Sequence, residues 1–298
     1  MPSPTTVSLD TLDAADDETF VAALADIYEH SPWVAEAVAA ARPFGTLAAL
    51  HDAMAAAVRA AGAERQRALL AAHPDLAGKA ARAGALTAES TAEQASAGLD
   101  RLSDEEFAAF HRLNTAYRDR FGIPFIVCVR RHTKASILRQ FERRLANDPT
   151  QEHATALDEV IRIAALRLDQ RVAAADRLPL AGRLSTHVLD THGGTPAAGI
   201  PLALYELSGD GARRLIVRAV TNRDGRTDQP LIGGRPVPIG LYELVFEVGA
   251  YFAGRGVTLA DPPFIDQVPI RFAVGEAEGH YHVPLLVTPW SYATYRGS

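Results

Sequence analysis

The sequence predicts two domains, an all-α N-terminal helical bundle followed by an all-β C-terminal sandwich. Three observations predict this. The chain has 298 residues, 48% of them apolar, enough for two separate cores. Up to about residue 172, apolar residues recur at spacings of three and four in segments rich in Ala, Leu, Glu and Arg. From about Leu184 the period changes to two, and turn residues punctuate seven or eight short strands. The expected boundaries are residues 1–172, a linker over 173–182, and residues 183–298.

In the first half, Phe20–Tyr28 and Leu157–Leu168 carry the helical pattern. Breakers separate such segments: Ser31-Pro32, Arg42-Pro43, His73-Pro74, Gly122 with Pro124, and Asp148-Pro149. Ala173–Gly182 is short and irregular, hence the linker. Beyond it, Pro201–Leu207 reads as a strand that runs into the turn Ser208-Gly209-Asp210-Gly211. Asp224-Gly225 is a hairpin-type turn signal, and Leu241–Val248 alternates with period two. Gly233-Gly234-Arg235-Pro236 reads as a further turn.

Charge and composition exclude several function classes. The net charge is −6, with 20 Lys and Arg against 25 Asp and Glu up to residue 180 and 10 against 11 after it. An acidic balance argues against a nucleic-acid footprint. No apolar run is long enough to span a membrane. The single cysteine, Cys128, rules out an intrachain disulfide and fits a reducing cytosol. Signal-peptide features are missing at the start, and no Ser-Lys-Leu address closes the chain. The expected location is cytoplasmic, and high Arg and Ala with low Lys suggests a bacterial source. No Cys cluster, GxxxxGK or strand-linked GxGxxG is present.

The C-terminal half carries residues suited to acyl chemistry. His187 sits in Leu184-Ser185-Thr186-His187-Val188-Leu189-Asp190, His282 in His280–Leu286, and Arg226 closes Thr221-Asn222-Arg223-Asp224-Gly225-Arg226. Opening a cyclic acyl–nitrogen bond needs an activated water, a stabilised oxyanion and a proton for nitrogen. Histidine moves protons near neutral pH, and arginine holds an oxyanion with a planar fork. With the tail Tyr295-Arg296-Gly297-Ser298, these motifs resemble the transthyretin-related hydrolases that open 5-hydroxyisourate, over roughly Leu184–Ser298. The resemblance implies His187, Arg226, His282 and Ser298 as catalytic residues and Tyr295 as a substrate contact that closes the pocket. Arg296 is expected to be structural, and His192 a loop residue. His280 and His282 share a strand face and with His187 would also suit zinc, but the resemblance implies no metal and no cofactor.

The N-terminal half resembles the family that decarboxylates the hydrolase's product, 2-oxo-4-hydroxy-4-carboxy-5-ureidoimidazoline (OHCU), to allantoin. The resemblance rests on His30–Glu36, Ala41–Phe44, Ala72-His73-Pro74-Asp75-Leu76, Ser90–Ala95, Ala97-Gly98-Leu99 and Phe121–Val127. It implies His73 and Glu93 as catalytic residues. It implies Pro74, Ser90, Gln94 and the stretch Phe125, Ile126, Val127, Cys128 and Val129 as substrate contacts, the stretch through its backbone groups. Arg167 is implied on the last helix, with Arg162 as the alternative. Read without the family, Ser90-x-x-Glu93 is a capping box, His73-Pro74 ends a helix, and Cys128 and Trp33 pack in the core. His30, His51, His111, His132 and His153 read as surface or capping residues.

Together the resemblances imply a bifunctional urate-catabolism enzyme that makes (S)-allantoin, with domain order the reverse of reaction order. Small-molecule substrates, no nucleic acid, no membrane, and a homodimer or homotetramer are expected. The alternative is one active domain, the other kept for ligand binding or assembly. Hormone-binding transthyretins share the fold but lack the His/Arg/His set and the Tyr-Arg-Gly-Ser tail present here.

Overall fold

Side-chain caps set most helix boundaries in the first half. The computed structural model describes residues 6–78, 87–209 and 211–297. In it Ser8, Asp16, Thr46 and Asp148 cap helices α1 (Leu9–Ala14), α2 (Asp17–Leu24), α4 (Leu47–Ala60) and α9 (Pro149–Arg171), each accepting a free backbone N–H of the first turn. Between them lie α3 (Trp33–Val38), α5 (Ala63–Ala71), α6 (Ala88–Ser96), α7 (Asp104–Phe121) and α8 (Lys134–Arg144). Helix α7 combines the reciprocal Ser103/Glu106 capping box with Arg118 and Arg120 in its last turn and Gly122 at φ 69°. The core of this half gathers Phe20, Leu50, Val58, Phe110 and Phe141, with Phe125 stacked on Phe141 at 3.6 Å between ring centroids. Helix α9 is central: its buried residues run from Glu152 to Leu168, and it packs on α4 and α5.

The second half forms two facing sheets. One has the order β11-β10-β3-β4, with β7 also pairing β3, where β3 is Gly182–Asp190, β4 Thr195–Pro196, β7 Ile232–Arg235, β10 His280–Val287 and β11 Tyr292–Thr294. The other has the order β6-β5-β8-β9, from Arg213–Val220, Pro201–Leu207, Gly240–Glu247 and Gln267–Val274. Leu184, Val188, Leu204, Tyr242, Leu244, Phe246 and Leu285 fill the core. Strands β3 and β10 pair in parallel, with Ser185 beside His282 and His187 beside Pro284.

Neither half is strictly of one class. In the first, the short β1 (Val7–Ser8) pairs in parallel with β2 (Val172–Ala173). In the second, α10 (Val248–Gly254) continues from β8 because Val248, Tyr251 and Phe252, at helical spacing, all bury into the sandwich core. Expected alternation through Val248 thus ends one residue early. The expected turn at Gly233-Gly234-Arg235-Pro236 is instead largely strand β7, held by pairing of Ile232 and Arg235 with β3. The chain separates into two compact units, one holding residues up to Arg130 and Ile137–Pro179, the other Arg131–Ser136 and the chain from Leu180. Within the second unit, Ile239 exchanges backbone hydrogen bonds with Arg131 and Thr133. The expected linker is tied down: Asp176 accepts the Leu47 and Ala48 N–H groups, and Asp169 holds Leu178 N–H. No helix among the described residues is long and apolar enough to cross a membrane.

Candidate active sites

The helical unit contains a small, partly open cavity. Several separate segments converge on it. His73 and Pro74 follow the last turn of α5, where proline stops the helix. Ser90, Glu93 and Gln94 stand at i, i+3 and i+4 on α6 and so share one face. Phe125, Ile126 and Val127 come from the irregular stretch after α7, Val129 from the short 3-10 helix Val129–Arg131 that follows, and Ile163 and Arg167 from α9. Ser90 is not a helix cap. Thr87 fills that position and accepts the Ser90 N–H at 3.2 Å, which frees the Ser90 side chain to face the cavity.

An ion cluster organises the polar side. Arg167 grips both Glu93 oxygens through Nε and Nη2, at 2.8 and 2.9 Å, and reaches Glu29 Oε2 through Nη1 at 2.8 Å. Burial opposes ionisation of Glu29, but Arg167 overrides it and holds the carboxyl below its ordinary range. Burial also opposes the Arg167 charge, and Glu93 and Glu29 more than restore it. His73 is lowered to about 4, chiefly by burial, so its imidazole is neutral at physiological pH. Its Nδ1 lies 3.0 Å from the Leu69 carbonyl. A carbonyl only accepts, so Nδ1 carries the proton and Nε2 the free lone pair.

Two expectations about this site change. The stretch 125–129 does not offer all its backbone groups, because Arg144 donates to Ile126 O and Cys128 N–H donates to Glu159. Cys128 is buried and does not line the cavity. Arg162 pairs with Glu159 and also stays outside, leaving Arg167 as the arginine at the cavity. Among residues read as bystanders, His132 is buried against Ser136 rather than on the surface, and Trp33 is half-buried beneath Arg65.

In the strand unit, backbone pairing builds a second polar cluster. The turn Asn222–Gly225 is closed by Gly225 N–H to Asn222 O at 2.8 Å. Gly225 has φ 71°, and a Cβ there would lie 2.3 Å from Val188 O. That close approach lets Gly225 O accept the Val188 N–H and sets Arg226 directly across from His187. On β10, His282 pairs with Gly297, whose N–H donates to His282 O at 2.9 Å. A Cβ on Gly297 would meet the His282 ring, so the tail packs on that ring. Arg296 lies over Tyr281 at 5.2 Å, a structural contact. Tyr295 is largely exposed, His192 sits in a turn, and Ser298 lies outside the described residues.

Both strand histidines are held in the neutral form. Burial and then the Arg226 charge lower His187; burial, Arg226 and His187 lower His282. His187 is supported by the Asp224 backbone, while its Nε2 is buried with no hydrogen-bond partner. Ser185 Oγ lies 3.0 Å from His282 Nδ1 and anchors that ring. The arrangement offers two neutral bases and one exposed cation, Arg226, whose backbone is set by the pairing with His187. Among the described residues, no group of three or more His, Cys, Asp or Glu side chains forms a metal cradle.

Sequence reasoning missed Ser185 and Glu29. Ser185 carried a signal, since it lies two residues before His187 on the same strand face. Glu29 carried little: its side chain is only 3% exposed, yet it follows α2 as one acid in an acid-rich half.

A model of the OHCU decarboxylase family matches residues 13–169, and one of the HIUase/transthyretin family matches residues 184–297. The second half is 56% identical over 117 residues to 5-hydroxyisourate hydrolase 2 of Rhizobium meliloti, covering 39% of this chain and 97% of that protein. The first half is 46% identical over 165 residues to the OHCU decarboxylase of Haloferax volcanii, covering 55% of this chain and 96% of that protein. A crystal structure of (S)-allantoin synthase matches 98% of this chain and all of its own, at 37% identity and a TM-score of 0.51.

Proposed function

The chain belongs to the OHCU decarboxylase family in its first half and to the HIUase/transthyretin family in its second, and we propose how its two sites divide the work of one bifunctional enzyme. It opens 5-hydroxyisourate and decarboxylates the OHCU so formed to (S)-allantoin. The observation that carries this reading is one polar site in each unit, in a chain that matches an (S)-allantoin synthase over 98% of its length. The domains are assigned as 1–172 and 183–298, joined by 173–182.

For ring opening, His187 Nε2 takes a proton from water, with His282 holding the water in place. The water oxygen adds to the ring carbonyl, and Arg226 stabilises the oxyanion. The C–N bond then breaks and the proton passes to nitrogen. Tyr295 and Ser298 close the pocket. For decarboxylation, loss of carbon dioxide leaves the C–C electron pair spread over the adjacent C=N, as an enol bearing the ring hydroxyl. His73 Nε2 takes the hydroxyl proton as the enol collapses to a carbonyl. The protonated His73 then passes that proton to one face of the neighbouring carbon, and the ring nitrogen takes one from solvent. Glu93, Ser90 and Gln94 hold the ureido group, and Pro74 with Phe125, Ile126, Val127 and Val129 shapes the other wall. Neither route calls for a cofactor.

The enzyme is assigned to the reducing cytosol, in keeping with a sole, buried thiol, and to a homodimer or homotetramer. Tyr292 on edge strand β11 and nearby Trp290 are half or more exposed, which supports association through that edge. The test is to generate 5-hydroxyisourate in situ and follow ultraviolet absorbance and circular dichroism together. Rapid loss of 5-hydroxyisourate with growth of the (S)-allantoin signal is expected. Rapid loss with slow, racemic allantoin would remove the decarboxylase assignment, and no acceleration would remove both.

A further inference from the structure

Each polar side chain at the helical cavity is committed in part to the protein, and those commitments limit what it can offer a ligand. Leu69 O leaves His73 Nε2 as an acceptor. Ala77 N–H occupies Gln94 Oε1 at 2.9 Å, which leaves the Gln94 amide as a donor. Ser90 has one hydroxyl proton, and its Oγ lies 3.3 Å from each Glu29 oxygen. An ionised carboxylate cannot donate, so Ser90 donates to Glu29 and its oxygen becomes an acceptor. Thr87 donates to the same carboxylate at 3.1 Å.

Arg167 is more fully committed. Nε and one N–H of Nη2 hold Glu93. Nη1 divides between Glu29 Oε2 and the Asp26 carbonyl, the latter at 3.4 Å. The remaining Nη2 N–H points to Ser90 Oγ at 3.5 Å. A guanidinium has five N–H groups, and all five face protein acceptors. Arg167 therefore cannot grip a substrate carboxylate with a two-pronged fork unless it releases Glu93.

We infer that Glu29, which does not line the cavity, is a positioning residue of the decarboxylase site. It holds Arg167 so that Glu93 keeps one orientation, and it turns the Ser90 hydroxyl so that oxygen faces the ligand. The site then presents three acceptors, Ser90 Oγ, the Glu93 carboxylate and His73 Nε2, to the N–H and O–H groups of a ureido, hydroxyl-bearing substrate. Gln94 supplies the matching donor. With His73 neutral, Glu29, Glu93 and Arg167 together carry one net negative charge. An anionic substrate is therefore held by its hydrogen-bonding edges rather than by its carboxylate, which leaves that group free to depart as neutral carbon dioxide.

This inference rests on the decarboxylase reading, and the full-length chain tests both. Glu29→Gln keeps the shape and removes the charge. With OHCU generated in situ, its kcat for (S)-allantoin is expected to fall at least tenfold, while KM stays level or falls because one repelling charge is gone. Loosening of the fold alone would instead raise KM. Glu29→Asp should restore part of the rate. An E29Q kcat within twofold of wild type, or a raised KM at unchanged kcat, overturns the inference while the decarboxylase stands. A wild-type chain that does not accelerate (S)-allantoin formation overturns the decarboxylase reading and this inference with it. Where E29Q does not unfold cooperatively, Ser90→Ala carries the test, since it removes the oriented oxygen and leaves the Arg167 pairs with Glu29 and Glu93 in place. A tenfold fall in kcat/KM is then expected, and an unchanged value overturns the inference.

Discussion

The two candidate sites bring a neutral histidine and an arginine together by opposite means. In the helical cavity, side chains from distant segments hold one another: Glu29 and Glu93 fix Arg167, and helical spacing aligns Ser90, Glu93 and Gln94. In the strand site the backbone does the positioning, because ladder register puts His187 across from Arg226 and His282 across from Gly297. The first site is deeply buried and keeps one net negative charge; the second is partly open. Position can thus come from ion pairs in a helical core or from hydrogen-bond register in a sheet. The first should be sensitive to charge and the second to backbone conformation.

The sharpest way to break the comparison is to remove one histidine at a time. His73→Ala should lower (S)-allantoin formation by about 10²–10⁴-fold and leave ring opening at the wild-type rate. Stopped-flow absorbance and circular dichroism on one sample would show it, and loss of both activities would contradict two separate sites. Arg226→Ala should cost ring opening about 10²–10³-fold and spare decarboxylation of preformed OHCU.

The pH profiles sharpen the contrast. On the proposed route neutral His73 is the active form; burial lowers its pKa from 6.5 to about 4, so decarboxylase kcat/KM should hold down to about pH 5 and fall around 4. Between those two values an unfolded chain binds the extra proton. His73 therefore adds stability that is complete above 6.5 and lost as pH falls through 4. The hydrolase limb should lie below 6.5, since both strand histidines are lowered. A limb at 6.5 in either activity would mean a fully solvated histidine. The smallest effect is expected from Gly225→Ala, at upward of about 1 kcal/mol of stability in the strand unit together with slower ring opening. Thermal unfolding would measure it.

Much of this was legible in the sequence. The change of period near Leu184 marks the passage from helices to strands, and local motifs place His187, Arg226 and His282. Short-range features that depend on three-dimensional competition were not legible. Ser90-x-x-Glu93 fits a capping box, but Thr87 takes the cap three residues earlier. Gly233–Arg235 has turn composition, yet an available neighbour in β3 draws it into the sheet. Val248, Tyr251 and Phe252 fit either a strand end or a helix, and burial of all three decides for the helix. Glu29 was hidden because a buried carboxylate differs from a surface one only through partners 58 to 138 residues away.

The central claim is that two independent sites act in series, and mixing two variants tests it most directly. His73→Ala alone should open 5-hydroxyisourate quickly and give racemic allantoin; His187→Ala alone should give (S)-allantoin slowly. Combined in one solution and followed by circular dichroism, the account predicts that they recover fast formation of (S)-allantoin. A mixture no faster or more stereoselective than either variant alone would contradict it.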